Sequence, residues 1–260
     1  LQRGEYNPFL HNAWRLMGEA QYLNGDFLGA AATFMYIERY FTWLPELITE
    51  AKIWQLRSYS ALGWTNEAEN VVARLKPEEL TNKRLKKLYN TAYGGFLVRT
   101  KQYAQAAPVL NAAVEATGGA QKTRLSFLLG QVYEANGDNA NAYRMFKRVA
   151  GASSATYRTQ FNARIKQSEV FSGTNIESEV KSLLRMTRLD RNKDYLDQIY
   201  YAVGNMYLSR GDTAKAVENY ILANEKSTRN GIDKAINQIT LGGIYFDRFE
   251  YDKAQPCYSE

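Results

Sequence analysis

Residues Trp14 to Phe34 read WRLMGEAQYLNGDFLGAAATF, and residues Tyr200 to Tyr220 read YYAVGNMYLSRGDTAKAVENY. Both place a glycine early (Gly18, Gly204), a Gly-Asp turn seven residues later (Gly25-Asp26, Gly211-Asp212), an alanine twelve after the first glycine (Ala30, Ala216) and a large ring sixteen after it (Phe34, Tyr220). Working outward from these two stretches, the same register recurs along the whole chain. The anchors are Gly18, Leu56, Gly94, Gly130, Ser168, Gly204 and Gly242, at intervals of 38, 38, 36, 38, 36 and 38 residues. Such a fixed period is the mark of a repeat architecture.

Twelve residues after the anchors stand Ala30, Ala68, Ala106, Ala142, Val180, Ala216 and Ala254, alanine in six of the seven. Three residues after them stand Gln21, Tyr59, Leu97, Tyr133, Phe171, Tyr207 and Tyr245, on the anchor's own helix face. Sixteen after them stand Phe34, Val72, Leu110, Phe146, Leu184, Tyr220 and Tyr258. Helix-ending turns are written at Asn24-Gly25-Asp26, Leu62-Gly63-Trp64, Asn136-Gly137-Asp138 and Arg210-Gly211-Asp212. Each unit is therefore expected to be a helical hairpin in which the anchor lets the first helix approach the second closely, the alanine of the second facing it. Pro108 and Pro256 share one repeat position, which is expected to fall at the start of the second helix, where a missing N–H is harmless. The fifth unit, with Ser168 and Val180 and only Gly173-Thr174-Asn175 as a turn, is expected to kink or to stack at a different angle.

The spacing and identities resemble the tetratricopeptide repeat, a helix-turn-helix unit of about 34 residues. The fold that this implies is all-α: a right-handed superhelical solenoid of about seven hairpins forming a single array over residues 1–260, the last truncated. Units longer than the usual length imply slightly extended helices or turns.

Composition agrees with a packed helical protein. Hydrophobic residues make up 45% and charged residues 23%, with 19 Tyr, 11 Phe and 4 Trp against 5 Pro. The net charge of +6 over 260 residues is modest. The basic clusters at Lys83-Arg84 with Lys86-Lys87, and at Arg185, Arg188, Arg191 and Lys193, read as solvated faces, and nucleic acid is not expected as a partner. Cys257 alone forms neither a disulfide nor a thiolate metal site.

The chemistry of an enzyme is not written in the chain. A serine or cysteine hydrolase would need a histidine base, and His11 is the one histidine; two-histidine zinc motifs are excluded by count. No phosphate-cradling glycine loop followed by Lys-Ser/Thr occurs, Gly94-Gly95 and Gly242-Gly243 being explained by the helix anchor. Pro77-Glu78-Glu79 reads as a helix start. No catalytic, cofactor or metal residues are assigned, and the protein is expected not to be an enzyme.

In stacked hairpins the first helices line the concave side. Their inward positions select Arg15, Glu19, Tyr22, Arg57, Arg99, Phe127, Gln131, Glu134, Tyr201, Asn205, Phe246 and Asp247 as a candidate partner-binding groove. The first-helix positions Arg15, Glu19, Ile53, Arg57 and Thr91 do not reproduce the Lys/Asn/Arg carboxylate clamp of some tetratricopeptide co-chaperones.

The opening Asn7-Pro8-Phe9-Leu10-His11-Asn12-Ala13-Trp14, continuing through Tyr22 and Gly25 to Phe34, with Glu50-Ala51-Lys52-Ile53-Trp54, Gly63-Trp64 and Glu67-Ala68-Glu69, resembles the SprE/PorW family over roughly the first 75 residues. Those are tetratricopeptide lipoproteins of the Bacteroidota type IX secretion and gliding machinery. The resemblance implies a non-catalytic periplasmic scaffold, anchored to the outer membrane by a lipidated cysteine outside this segment and linking secretion subunits. The start Leu1-Gln2-Arg3-Gly4-Glu5 and the end Pro256 to Glu260 read as those of a segment of a longer protein. A peptide- or cell-wall-associated regulatory module, its basic second half meeting an acidic ligand, is the alternative that the residues leave open.

Overall fold

A computed structural model describes residues 8–228 and 231–259. The expectations that rest on Leu1 to Glu5, on Asn7 and on Glu260 lie outside those residues. The described residues are all-helical. Fourteen α-helices follow one another: α1 (Leu10–Leu23), α2 (Phe27–Tyr40), α3 (Pro45–Leu62), α4 (Thr65–Arg74), α5 (Lys83–Arg99), α6 (Tyr103–Glu115), α7 (Gly119–Ala135), α8 (Asn139–Ala150), α9 (Tyr157–Glu169), α10 (Glu177–Met186), α11 (Leu196–Leu208), α12 (Thr213–Lys226), α13 (Ile232–Asp247) and α14 (Tyr251–Ser259). Pro77–Glu79 is a short 3-10 turn between α4 and α5 instead of a helix start. The helices group into two compact units, one up to Asp138 holding α1 to α7 and one from Asn139 holding α8 to α14.

All seven anchors and all seven residues twelve further on are buried. What the glycines face differs from expectation. A Cβ on Gly18 would lie 2.7 Å from the Phe34 ring, one on Gly94 2.6 Å from Leu110 Cδ2, and one on Gly204 2.5 Å from the Tyr220 ring. The anchor's close neighbour is thus the large residue sixteen positions on, not the alanine at twelve. Antiparallel geometry explains this. Residues equidistant from the turn meet, and the turn is centred seven to eight residues after the anchor, so position sixteen returns opposite the anchor and position twelve opposite position three. Ala68 accordingly shares a core cluster with Tyr59, and Ala216 with Tyr207. In the second hairpin the volumes are exchanged, Leu56 at the anchor answering the smaller Val72 in the same cluster. Gly95 meets nothing within 4 Å, and Gly243 only the Tyr258 hydroxyl at 3.9 Å, so only the first glycine of each pair is an anchor.

The turns share a further register. Gly25, Gly63, Gly137 and Gly211 have φ between +77° and +85°, and at the same repeat position Lys101 and Phe249 take φ of 60° and 62°. Asp26 and Asp212 follow their glycines and cap the next helix, accepting hydrogen bonds from the Gly29 and Lys215 N–H groups at 2.9 and 3.1 Å. These second helices therefore begin nine residues after the anchor. Pro108 and Pro256 consequently fall five residues inside α6 and α14, not at their starts. Both are exposed, so the carbonyls left without an intrahelical donor face solvent.

In the first unit Ala30, Phe34 and Ile37 of α2, and Phe41 at its C-cap, pack with Ala51 and Trp54 of α3, the Phe34 and Trp54 rings stacking at 5.6 Å. Glu38 ties the hairpins, accepting from Gln55 at 2.7 Å and Arg74 at 2.8 Å. In the second unit α11 and α12 form a hairpin around Gly204 and Tyr220, and α13 packs on α12. The fifth hairpin is the weak one: α9 packs chiefly against α8 and α11 and touches α10 little. Its anchor is Ser168, whose hydroxyl turns back to the Ile165 carbonyl at 2.6 Å, and residue 184, a leucine, remains more than a third exposed.

Candidate functional site

The strongest convergence of polar groups lies on the first helices of the first unit. Lysines, arginines and glutamates spaced three or four apart on α1, α3 and α5 share one face of each helix. Glu50 of α3 is 3% exposed. Arg84 of α5 donates to it from both terminal guanidinium nitrogens, each at 2.7 Å. Arg15 of α1 stands 3.9 Å from the same carboxylate and 2.5 Å from Glu19. The Glu50 hydrogen bond and charge raise the Arg84 pKa. Two cations beside this network have no such partner: neither Arg57 nor Lys87 has a carboxylate within ion-pair distance among the described residues.

Arg57 is held by aromatics. Its guanidinium lies 4.2 Å from the Trp54 ring centre and 4.7 Å from that of Tyr22, the two rings meeting edge-on at 5.3 Å. Stacking occupies the faces of a guanidinium and leaves its N–H edge available for a carboxylate. Trp54 Nε1, buried in the same wall, has no hydrogen-bond partner. A pocket of about 310 Å³ brings Arg15, Glu19, Glu50, Trp54, Arg57, Arg84 and Lys87 together over Leu88 and Thr91. A second pocket, about 640 Å³, continues from Arg15, Glu50 and Arg84 toward His11, Asn12 and Glu46. His11 lies in the first turn of α1. The smaller pocket carries four cations against two carboxylates, a net of +2.

Of the expected groove residues, Arg15, Glu19, Tyr22 and Arg57 are thus brought together, Tyr22 as part of the platform that fixes Arg57. Arg99 ends α5 exposed, and Phe127, Gln131 and Glu134 follow one another along α7. In the second unit Tyr201 and Asn205 both engage Tyr220, by ring contact at 5.5 Å and by a 2.7 Å hydrogen bond from the Tyr220 hydroxyl. Phe246 stacks edge-on with Tyr251, beside exposed Asp247. Ile53, considered as a clamp position, is fully buried core. Glu50, Trp54, Arg84 and Lys87 were not singled out as groove residues: Arg84 and Lys87 read as a solvated basic run, and only their spacing from Thr91 and Gly94 on one helix hinted otherwise.

Among the described residues no cluster of three or more histidine, cysteine, aspartate or glutamate side chains could hold a metal, and no helix is long and apolar enough to cross a membrane. Burial raises the pKa of Tyr89, and likewise those of Tyr59, Tyr207 and Tyr245. Such shifts follow from packing and mark no proton-transfer site.

No protein-family model matches the chain, and no curated protein matches it. Among solved structures, the apo form of RapI superposes with a TM-score of 0.64 at 13% identity, covering 95% of this chain and 74% of that one. The apo form of the quorum sensor NprR from B. thuringiensis superposes with a TM-score of 0.55 at 16% identity, covering 90% of this chain and 72% of the other. The chain shares with them a tetratricopeptide-like helical-repeat fold.

Proposed function

We propose that the chain is a peptide-binding regulatory module whose first unit receives an acidic peptide segment on the α1, α3 and α5 face. The observation that carries this reading is the pair of uncompensated cations, Arg57 and Lys87, in one pocket with the bridge from Arg84 to the buried Glu50. The bridge satisfies itself and stiffens the wall, while Arg57, oriented by Tyr22 and Trp54, and Lys87 remain to receive carboxylates. An aromatic-backed arginine in a concave surface is the kind of anchor that carries a large share of binding energy. The likeness in fold to a quorum sensor supports a regulatory binding role over a structural one.

Fluorescence polarisation with a tagged Asp-Glu-rich hexapeptide and its Asn-Gln counterpart tests the reading. The acidic probe should bind at least about ten-fold more tightly, and Arg57→Ala and Lys87→Ala should each weaken it by about ten-fold, the size of one charge-assisted hydrogen bond. Equal binding of the two probes would sink the proposal.

A second reading, a periplasmic scaffold of the type IX secretion machinery, rests on the resemblance of the opening stretch to the SprE/PorW family. Its partners would be secretion subunits, and its location the outer membrane by way of a lipid anchor. Recovery of the native protein in the envelope fraction, bound to secretion subunits, would favour it over the regulatory module.

A further inference from the structure

A pocket of about 220 Å³ lies among α9, α11, α12 and α13, wholly within the second unit. It is smaller than the range of about 300 Å³ and upward typical of sites for drug-sized ligands, and matches a single side chain. Its walls divide by chemistry. Ile165 of α9, Ala223 of α12 and Ile236 of α13 are apolar, with the Tyr201 ring beside them. Glu169, Asp197 and Asp233 face Lys234, three carboxylates against one ammonium, a net of −2.

These carboxylates are partly held. Asp197 accepts from the Ser227 hydroxyl at 2.9 Å, Asp233 from the Gln198 amide at 2.8 Å, and Glu169 pairs with Lys166 at 2.7 Å. Asp197 and Asp233 also sit in the first turns of α11 and α13, at the positive ends of those helix dipoles. A second observation is independent of the charge. Asn237 also lines the pocket and is 2% exposed. Its amide nitrogen donates to the Tyr220 carbonyl at 2.8 Å and to Asn224 Oδ1 at 2.6 Å. Both acceptors fix the orientation of the amide, and Asn237 Oδ1 is left with no donor. A buried, unpaired acceptor is unfavourable, and a donor entering the pocket would satisfy it.

We propose that this pocket seats the ammonium group of a lysine side chain from a partner peptide. The methylene stem lies along Ile165 and Ile236, with the Tyr201 ring beside the charge. The three N–H donors of the ammonium match three acceptors, Asp197, Asp233 and Asn237 Oδ1. A compact charge with rotatable donors suits acceptors spread over two helices, whereas the planar guanidinium fork wants a bidentate partner. The site stands apart from the acidic-peptide reading of the first unit and depends on none of its residues.

The test is a titration of the full chain, following the Asn237 side-chain amide resonance by NMR, with the capped tripeptide acetyl-Ala-Lys-Ala-amide and its norleucine counterpart. The lysine probe should shift the resonance saturably, and norleucine should bind at least about ten-fold more weakly. The double variant Asp197→Asn with Asp233→Asn should raise the dissociation constant by at least ten-fold on the same scale, while Arg57→Ala leaves it unchanged. Should the double variant lose its helical circular dichroism, Glu169→Gln and the norleucine comparison on the native chain decide. Equal binding of norleucine, absence of a saturable shift, or n-butylammonium binding as tightly as the tripeptide would overturn the assignment.

Discussion

Adjacent glycines on α5 should respond to the same substitution in opposite directions. Gly94 and Gly95 are both helical, so alanine at either gains about 1 kcal/mol of helix propensity. At Gly95 a Cβ enters open space, and Gly95→Ala should stabilise by about that amount. At Gly94 the new Cβ would lie 2.6 Å from Leu110 Cδ2 and 2.8 Å from its Cγ. Leu110 is fully buried, so α5 and α6 must part or the side chain must leave its rotamer. Overpacking of this kind costs typically about 1–3 kcal/mol, which offsets the propensity gain and leaves Gly94→Ala neutral at best and about 2 kcal/mol destabilised at worst. Urea unfolding followed by helical circular dichroism at a common slope gives both values. If Gly94→Ala stabilised as much as Gly95→Ala, the close crossing of anchor and position sixteen would be refuted.

Phe249, 78% exposed, holds a left-handed backbone, so Phe249→Gly should stabilise by about 0.5–1 kcal/mol, the relief of strain less glycine's extra unfolded-state entropy. The same urea midpoint reads it out, and a loss of stability would contradict the strained conformation. Arg84→Ala strands the buried Glu50 carboxylate. Because Arg84 is itself 58% exposed, the cost should be about 1–2 kcal/mol, below that of a wholly buried pair, and Glu50→Gln in the same background should restore part of it. Asp212 has its pKa lowered by the Lys215 backbone N–H and then by the Lys215 side chain. Its contribution is therefore present above the ordinary carboxylate range and lost as pH falls through the depressed value. The stability gap between native chain and Asp212→Asn should close on acidification, and a gap that widened would show the sign to be wrong.

The hairpins were legible because their steric requirement is written in residue size at a fixed period: a glycine or its exchange, an alanine at twelve in all but the fifth unit, a bulky residue at sixteen. Which of these touch was not legible from size alone. It follows from where the turn is centred, and the positive φ of Lys101 and Phe249 marks the same place without a glycine to announce it. The proline positions mislead for the same reason, since the second helix starts five residues before Pro108. For the site, Arg15, Glu19, Tyr22 and Arg57 could be placed on one side by helix periodicity. Glu50, Arg84 and Lys87 could not, because an ion pair between α3 and α5 depends on how successive first helices stack, which no local pattern specifies. Asn237 looked like any helical asparagine, and its unpaired oxygen is a property of packing against α12.

Crystallisation of the chain with the Asp-Glu-rich hexapeptide addresses the central claim most directly. A peptide carboxylate should sit within about 3 Å of the Arg57 guanidinium edge or the Lys87 ammonium, with the Arg84–Glu50 bridge intact. A peptide bound instead on the α2, α4 and α6 side, with Arg57 and Lys87 still solvated, would contradict it.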